Sequence, residues 1–197
     1  MSMLMTSSDI TITDAPVAGV RIIQAARFDD ERGWFAELWN ARRYAAAGLD
    51  VSFVQDNVSY SRKGVLRGLH FQSPVLQAKL VCVLAGAVFD VVVDVRVGSP
   101  TFGRWFGSEL TGENGRQLYV PEGCAHGFLV LSDEAYVHYD CTAPYDAPSD
   151  CSLRWNDPDV AIEWPLPPAI VSAKDSAAPT LRELSDAGVL PPWRGTS

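Results

Sequence analysis

The feature that most limits what this chain can fold into is a series of short alternating segments punctuated by turn residues. Over residues 88–96, Phe89, Val91, Val93 and Val95 fall on one face of an extended strand, with Asp90, Asp94 and Arg96 on the other. Residues 79–85, 117–120, 126–131 and 135–142 read as similar strands, each bounded by Gly, Pro, Asp or Ser. Such strands recurring roughly every 8–12 residues predict an all-β sandwich or barrel. Helical periodicity shows only at 36–47 and 180–187, near the two ends. The Pro-rich stretches 164–168 and 190–193 read as a C-terminal segment that wraps the barrel. The expected organisation is one domain over residues 1–197, with a loose N-terminal tail over about residues 1–15.

Composition narrows the partners. The 197 residues are 47% hydrophobic and 20% charged, enough for a core and without a disorder signature. Sixteen Lys and Arg against 24 Asp and Glu leave a net charge of −8, which speaks against nucleic acid tracked along a broad basic surface. A local pocket for one small anion remains compatible with it. Cys82, Cys124, Cys141 and Cys151 form no CxxC pair, so free thiols in a reducing cytoplasm are expected. The uncharged run at 80–89 is too short to span a bilayer. The start, MSMLMTSSDITITD, has neither a basic opening nor a long apolar run, so no signal peptide is expected. The localisation expected is cytoplasmic, with no membrane partner.

Of three histidines, His126 lies in PEGCAHGF (121–128). Pro-x-Gly-x-x-His after a strand is how cupin-type double-stranded β-barrels turn a corner and point a histidine inward. The companion His-x-His strand is missing, since GVLRGLHFQ offers His70 alone. In the strand at 135–142, His138 lies on the face opposite Tyr139 and reads as a surface histidine. No three-histidine metal site can then be assembled, and the barrel reads as metal-free.

Arg67, His70, Lys79, Tyr139 and the Ser-Ala-Lys-Asp run at 172–175 each admit a bland reading. Arg67 could be a solvated strand residue, Lys79 an edge charge, and Tyr139 a core tyrosine with a wet hydroxyl. Together they point to chemistry. A neutral His, a Lys, a Tyr and an Asp are what proton abstraction beside a carbonyl needs: a base, a group that stabilises the enolate, and an acid on the other face. Strict alternation puts Arg67 and His70 on opposite faces, and Gly68 between them could mark a bulge that turns both inward.

These residues sit in segments resembling the dTDP-4-dehydrorhamnose 3,5-epimerase family. The matching runs are DERGWFAELWN (30–40), FVQDNVSYSRKGVLRGLHFQ (53–72), QAKLVCVLAGAVFDVVVDVR (77–96), SPTFGRW (99–105), RQLYVPEGCAHGFLVLS (116–132), WNDPDVAIEWP (155–165) and SAKDSAAP (172–179). The resemblance implies a mainly β, cupin-type jelly-roll barrel with a few short helices near the termini. It also implies a cofactor-free inversion at C3 and C5 of dTDP-4-dehydro-6-deoxy-D-glucose. His70 corresponds to the base, Asp175 to its partner, Lys79 to the group facing the enolate oxygen, and Tyr139 to the acid. Arg67 and His126 match residues holding the diphosphate and sugar region, and Arg32, Glu37, Gln55 and Asn57 match contacts to the nucleotide or diphosphate. Asp150 and Lys174 match further binding positions, Asp150 standing where Glu is more common. Ala78 stands where Gly is usual, Asp140 where Lys is common, and Tyr119 where Trp is frequent. The family's homodimer, formed by exchange of N-terminal strands so that some binding residues come from the neighbouring subunit, is implied as well. The competing expectations are an epimerase that inverts only C5 or only C3, a metal-dependent cupin oxygenase, and a non-catalytic sugar-nucleotide-binding barrel.

Overall fold

A computed structural model describes residues 10–25 and 27–195. Strands β1 (Thr11–Asp14), β2 (Arg21–Gln24), β3 (Arg27–Asp30) and β4 (Gly33–Ala36) precede helix α1 (Ala41–Ala46). Then come β5 (Gln55–Arg62), β6 (Val65–Gln72), β7 (Lys79–Ala85), β8 (Ala87–Asp94), β9 (Trp105–Thr111), β10 (Arg116–Val120), β11 (Cys124–Val130) and β12 (Glu134–Cys141). The chain closes with β13 (Asp150–Ser152), β14 (Ile170–Val171), α2 (Ala173–Ser176) and α3 (Leu181–Asp186). One antiparallel sheet runs β1-β2-β10-β7-β12-β5, and a second runs β13-β6-β11-β8-β9 with β14 parallel to β6. The two face each other as a jelly roll. The pair β3–β4 forms a separate hairpin.

Three observations refine the sequence expectations. Residues 11–14 of the expected loose tail form β1, paired along its length with β2, while residues 1–9 lie outside the described residues. The helix expected at 36–47 is confined to 41–46, because the Asn40 side chain accepts from the Arg43 N–H and fixes the N-terminus there. Residues 33–36 are used instead by the hairpin.

Side-chain alternation divides the barrel. At one end Val81, Val83, Leu118 and Val137 from one sheet meet Val88, Val92, Leu110 and Phe128 from the other in a dry core. Each fully buried aliphatic side chain there contributes about 1.5–3 kcal/mol. At the other end the inward positions are polar. Gln55, Asn57, Ser59 and Ser61 of β5 point in, and Asp56, Val58, Tyr60 and Arg62 point out to solvent. That half is built to hold a ligand.

The outer face of the second sheet is covered too. Phe89, Val91, Val93 and Val95 pack under Trp164, Leu181, Leu184 and Leu190, as a wrapping C-terminal segment requires. Trp193 extends the wrap, its N–H donating to the Val97 carbonyl at 2.9 Å and its ring stacking on the Arg96 guanidinium. The four cysteines are free thiols.

Candidate active site

Gly68 decides how the floor of the polar half is built. Its φ is +123°, and the pairing with β11 slips there: His126 lies opposite His70, but Phe128 lies opposite Arg67. Three steps along β6 are matched by two along β11, so the strand bulges and both Arg67 and His70 face inward. Only glycine fits, since a Cβ at position 68 would lie 2.6 Å from Gly127 Cα and 2.9 Å from the His126 carbonyl oxygen.

His70 Nε2 lies 2.7 Å from Asp175 Oδ1. Asp175 is itself buried and pinned. Its Oδ2 accepts from the Gly68 N–H at 3.3 Å, and its own N–H donates to Ser172 Oγ, the cap of α2, at 3.0 Å. Burial lowers the His70 pKa below its ordinary value; Asp175 pulls it back up, and Lys174 and Lys79 push it further down. His126 comes inward off the Pro-Glu-Gly corner, its Nε2 3.0 and 2.9 Å from the two carboxylate oxygens of buried Asp90. Arg67 is tethered to β5, its Nε donating to Ser61 Oγ at 2.8 Å and its Nη2 to the Tyr60 carbonyl at 3.1 Å.

The facing sheet contributes Lys79 from β7 and Tyr139 from β12, with the ammonium 5.9 Å from the phenol ring centre. Burial lowers the Lys79 pKa against the opposing pull of Cys141, Asp90 and Asp150. It raises that of Tyr139, which stays a proton donor across the neutral range.

These groups line a cavity of about 480 Å3 together with Ser59, Ser172 and an apolar side made by Val65, Phe128 and Ile170. A second chamber of the same size shares His70, Lys79, Tyr139 and Lys174 and opens past Gln55, Asn57, Tyr145 and Asp150. Its rim is cross-linked. Gln55 Nε2 donates to Asn57 Oδ1 at 3.1 Å, the Tyr145 N–H donates to Gln55 Oε1 at 2.9 Å, and Asp150 accepts from Tyr145 Oη and pairs with Lys174. Chemically, one wall carries an imidazole steered by a carboxylate, and the other carries an ammonium beside a phenol. That arrangement can take a proton from one side of a ring, stabilise an oxyanion and return a proton.

His138 lies on the outer face, as alternation requires, but it is half-buried rather than a surface residue. Its Nδ1 is 3.7 Å from Cys82 Sγ, and its Nε2 is 3.9 Å from carboxylates of Asp56 and Asp140. Among the described residues no three His, Cys, Asp or Glu side chains are grouped to hold a metal ion.

The model of the dTDP-4-dehydrorhamnose 3,5-epimerase family matches residues 14–183. The chain belongs to this family. The epimerase of that name from Methanothermobacter thermautotrophicus is 49% identical over 168 residues, which span 84% of this chain and 91% of its own. Among solved structures, the epimerase of Legionella pneumophila in complex with dTDP-4-keto-L-rhamnose superposes with a TM-score of 0.90. It is 49% identical, over 94% of this chain and 100% of that one. A 4-keto-6-deoxy sugar epimerase from the novobiocin biosynthetic gene cluster of Streptomyces spheroides gives a TM-score of 0.89. It is 39% identical, over 98% of both chains.

Ten of the twelve residues singled out by resemblance to the epimerase family line the two chambers: His70, Asp175, Tyr139, Lys79, Arg67, His126 and Lys174 the inner one, and Gln55, Asn57 and Asp150 the outer. Arg32 and Glu37 line neither. Arg32 sits exposed at the tip of the β3–β4 hairpin, paired with Asp30, and Glu37 pairs with Arg43 at 2.7 Å. The sequence reading does not single out Asp90 and Ser61, which hold His126 and Arg67, whereas Ser172, the support of Asp175, falls within the Ser-Ala-Lys-Asp run. For Asp90 a signal is present: an acid in the middle of the otherwise apolar run at 87–93.

Proposed function

We propose that the chain acts as a dTDP-4-dehydrorhamnose 3,5-epimerase on dTDP-4-dehydro-6-deoxy-D-glucose. The observation that carries this reading is the His70–Asp175 pair opposed to Lys79 and Tyr139 across one cavity. The hydrogens at C3 and C5 are acidified by the C4 ketone between them. With Nε2 engaged by Asp175, His70 Nδ1 takes the proton, the C–H electrons move to the C4 oxygen, and the Lys79 ammonium stabilises the resulting enolate. Tyr139 then returns a proton to the opposite face, and the ketone re-forms with that centre inverted. C3 and C5 flank C4 symmetrically, so one base and one acid serve both. Asp175 orients the ring and stabilises the imidazolium. This chemistry needs no cofactor.

The reacting sugar occupies the inner chamber with Arg67 and His126. The nucleotide lies towards Gln55, Asn57, Asp150 and Lys174, where the Lys174 ammonium suits phosphate oxygens. Arg32, on the β3–β4 hairpin, and Glu37, just after it, reach the site of the neighbouring subunit across a homodimer. Among the described residues no helix is long and apolar enough to cross a membrane; the cytoplasmic placement rests on the four free thiols, which suit a reducing compartment.

A second reading, inversion at one centre only, draws on a 3'-monoepimerase of Streptomyces bikiniensis, which superposes with a TM-score of 0.84 at 36% identity. Incubation with the substrate in D2O, followed by mass spectrometry and NMR, separates the two. Deuterium at both C3 and C5 with the L-lyxo product supports the double epimerase. Label and inversion at one carbon replace it with the single-centre reading, and no label from folded protein overturns both.

A further inference from the structure

Four alternate residues of β5 face the polar half of the barrel, and three of them are engaged within the protein. Gln55 is bonded to Asn57, and Ser61 Oγ accepts from Arg67 Nε. Ser59 Oγ is buried and, among the described residues, has no hydrogen-bond partner. A buried hydroxyl left unpaired destabilises the free protein, and alanine at the same place would not. A serine hydroxyl offers one donor and two acceptor sites. With nothing holding it, rotation about χ1 to another staggered well is cheap. The residue as a whole is only half-buried and borders the inner chamber.

We propose that Ser59 is a further substrate-binding residue, whose hydroxyl turns into the inner chamber and hydrogen-bonds an oxygen of the hexose ring. Ser59 borders the chamber of His70, Lys79 and Tyr139, the groups that must reach the reacting carbons, whereas Gln55 and Asn57 on the same face border the outer one. In register it stands opposite Val137, one inward position deeper than Asn57, which stands opposite Tyr139. Arg67 is tied to Tyr60 and Ser61, the residues that follow it. A sugar oxygen seated there is therefore held by Ser59 and Arg67 together.

The identity of the sugar rests on the epimerase reading, but the test separates the two. Wild type and Ser59→Ala are compared for turnover of dTDP-4-dehydro-6-deoxy-D-glucose, inhibition by dTDP and thermal melting. The expected result is a kcat/KM lowered about tenfold, the effect of one lost hydrogen bond. The dTDP inhibition constant stays unchanged and the melting temperature is equal or higher. An unchanged kcat/KM overturns the contact. Equal weakening of dTDP places the contact on the nucleotide and overturns the hexose assignment, and a lower melting temperature makes the hydroxyl structural. Absence of turnover in the wild type would sink the epimerase reading alone. In that case calorimetric binding of dTDP-glucose against dTDP to the two proteins still decides the role of Ser59.

Discussion

His70 can take a proton only as a neutral imidazole, so its surroundings decide the pH range in which the site works. Burial lowers its pKa, and the ring therefore stays neutral to a more acidic pH than a solvated histidine. The acid limb of kcat/KM against pH should fall below the ordinary value of about 6.5. Asp175→Asn removes the largest influence that raises the His70 pKa. The limb should move lower still, while the plateau drops about 10²–10⁴-fold as imidazolium stabilisation is lost. A limb that moves upward in this variant would show that Asp175 does not act through His70. His70→Ala should cut turnover about 10³-fold with dTDP binding retained in calorimetry, and retained activity would overturn the base assignment. In the proposed mechanism Tyr139 acts at the second step, so Tyr139→Phe should leave deuterium exchange from D2O running while net inversion stops. Equal loss of both would remove Tyr139 from the acid role.

The element that makes the dyad possible is the bulge in β6. A Cβ at position 68 meets backbone of β11 on two sides, at a φ that L-residues rarely adopt. Gly68→Ala should therefore cost about 2–3 kcal/mol, seen as a melting temperature lowered by roughly 5–10 °C. Its kcat/KM should fall further than that stability loss explains, because Arg67 and His70 no longer share a face. A fully active Gly68→Ala enzyme would mean the bulge is dispensable. Elements of this kind differ in how legible they are. The strands β7, β8, β10, β11 and β12 show in the sequence because alternation is a local property, and the Pro-x-Gly-x-x-His corner announces His126. The bulge was signalled only by a conflict, the wrong spacing of Arg67 and His70 around a glycine. Helix α2, four residues long, carries no periodic signal; it forms because Ser172 caps it and Asp175 is fastened to β6. The pairing of His126 with Asp90 joins adjacent strands across the second sheet, and strand adjacency is not written in either strand's own pattern.

At the scale of the whole molecule, two exposed features ask for a partner. The hairpin β3–β4 holds Trp34 and Phe35 at 48% and 62% exposure and keeps Arg32 away from the cavity. Among the described residues strand β5 ends its sheet with one edge unpaired, and Val58, Tyr60 and Tyr136 lie exposed on the outer face beside it. Unprotected edges and apolar faces invite association, and a two-fold dimer lets each hairpin serve the other subunit's site. Light scattering should then give twice the 21.5 kDa chain mass. Mass alone does not show a shared site, and complementation does. Arg32→Ala and His70→Ala homodimers should each be impaired. Unfolded together and refolded as an equal mixture, half of the dimers should be mixed. Each mixed dimer then holds one site with both native residues and one with neither, so about a quarter of all sites should be wild type. Activity should return towards that fraction in proportion to mixed dimers formed. If Arg32 instead serves the His70 of its own chain, every site in the mixture lacks one of the two residues, and no recovery can occur.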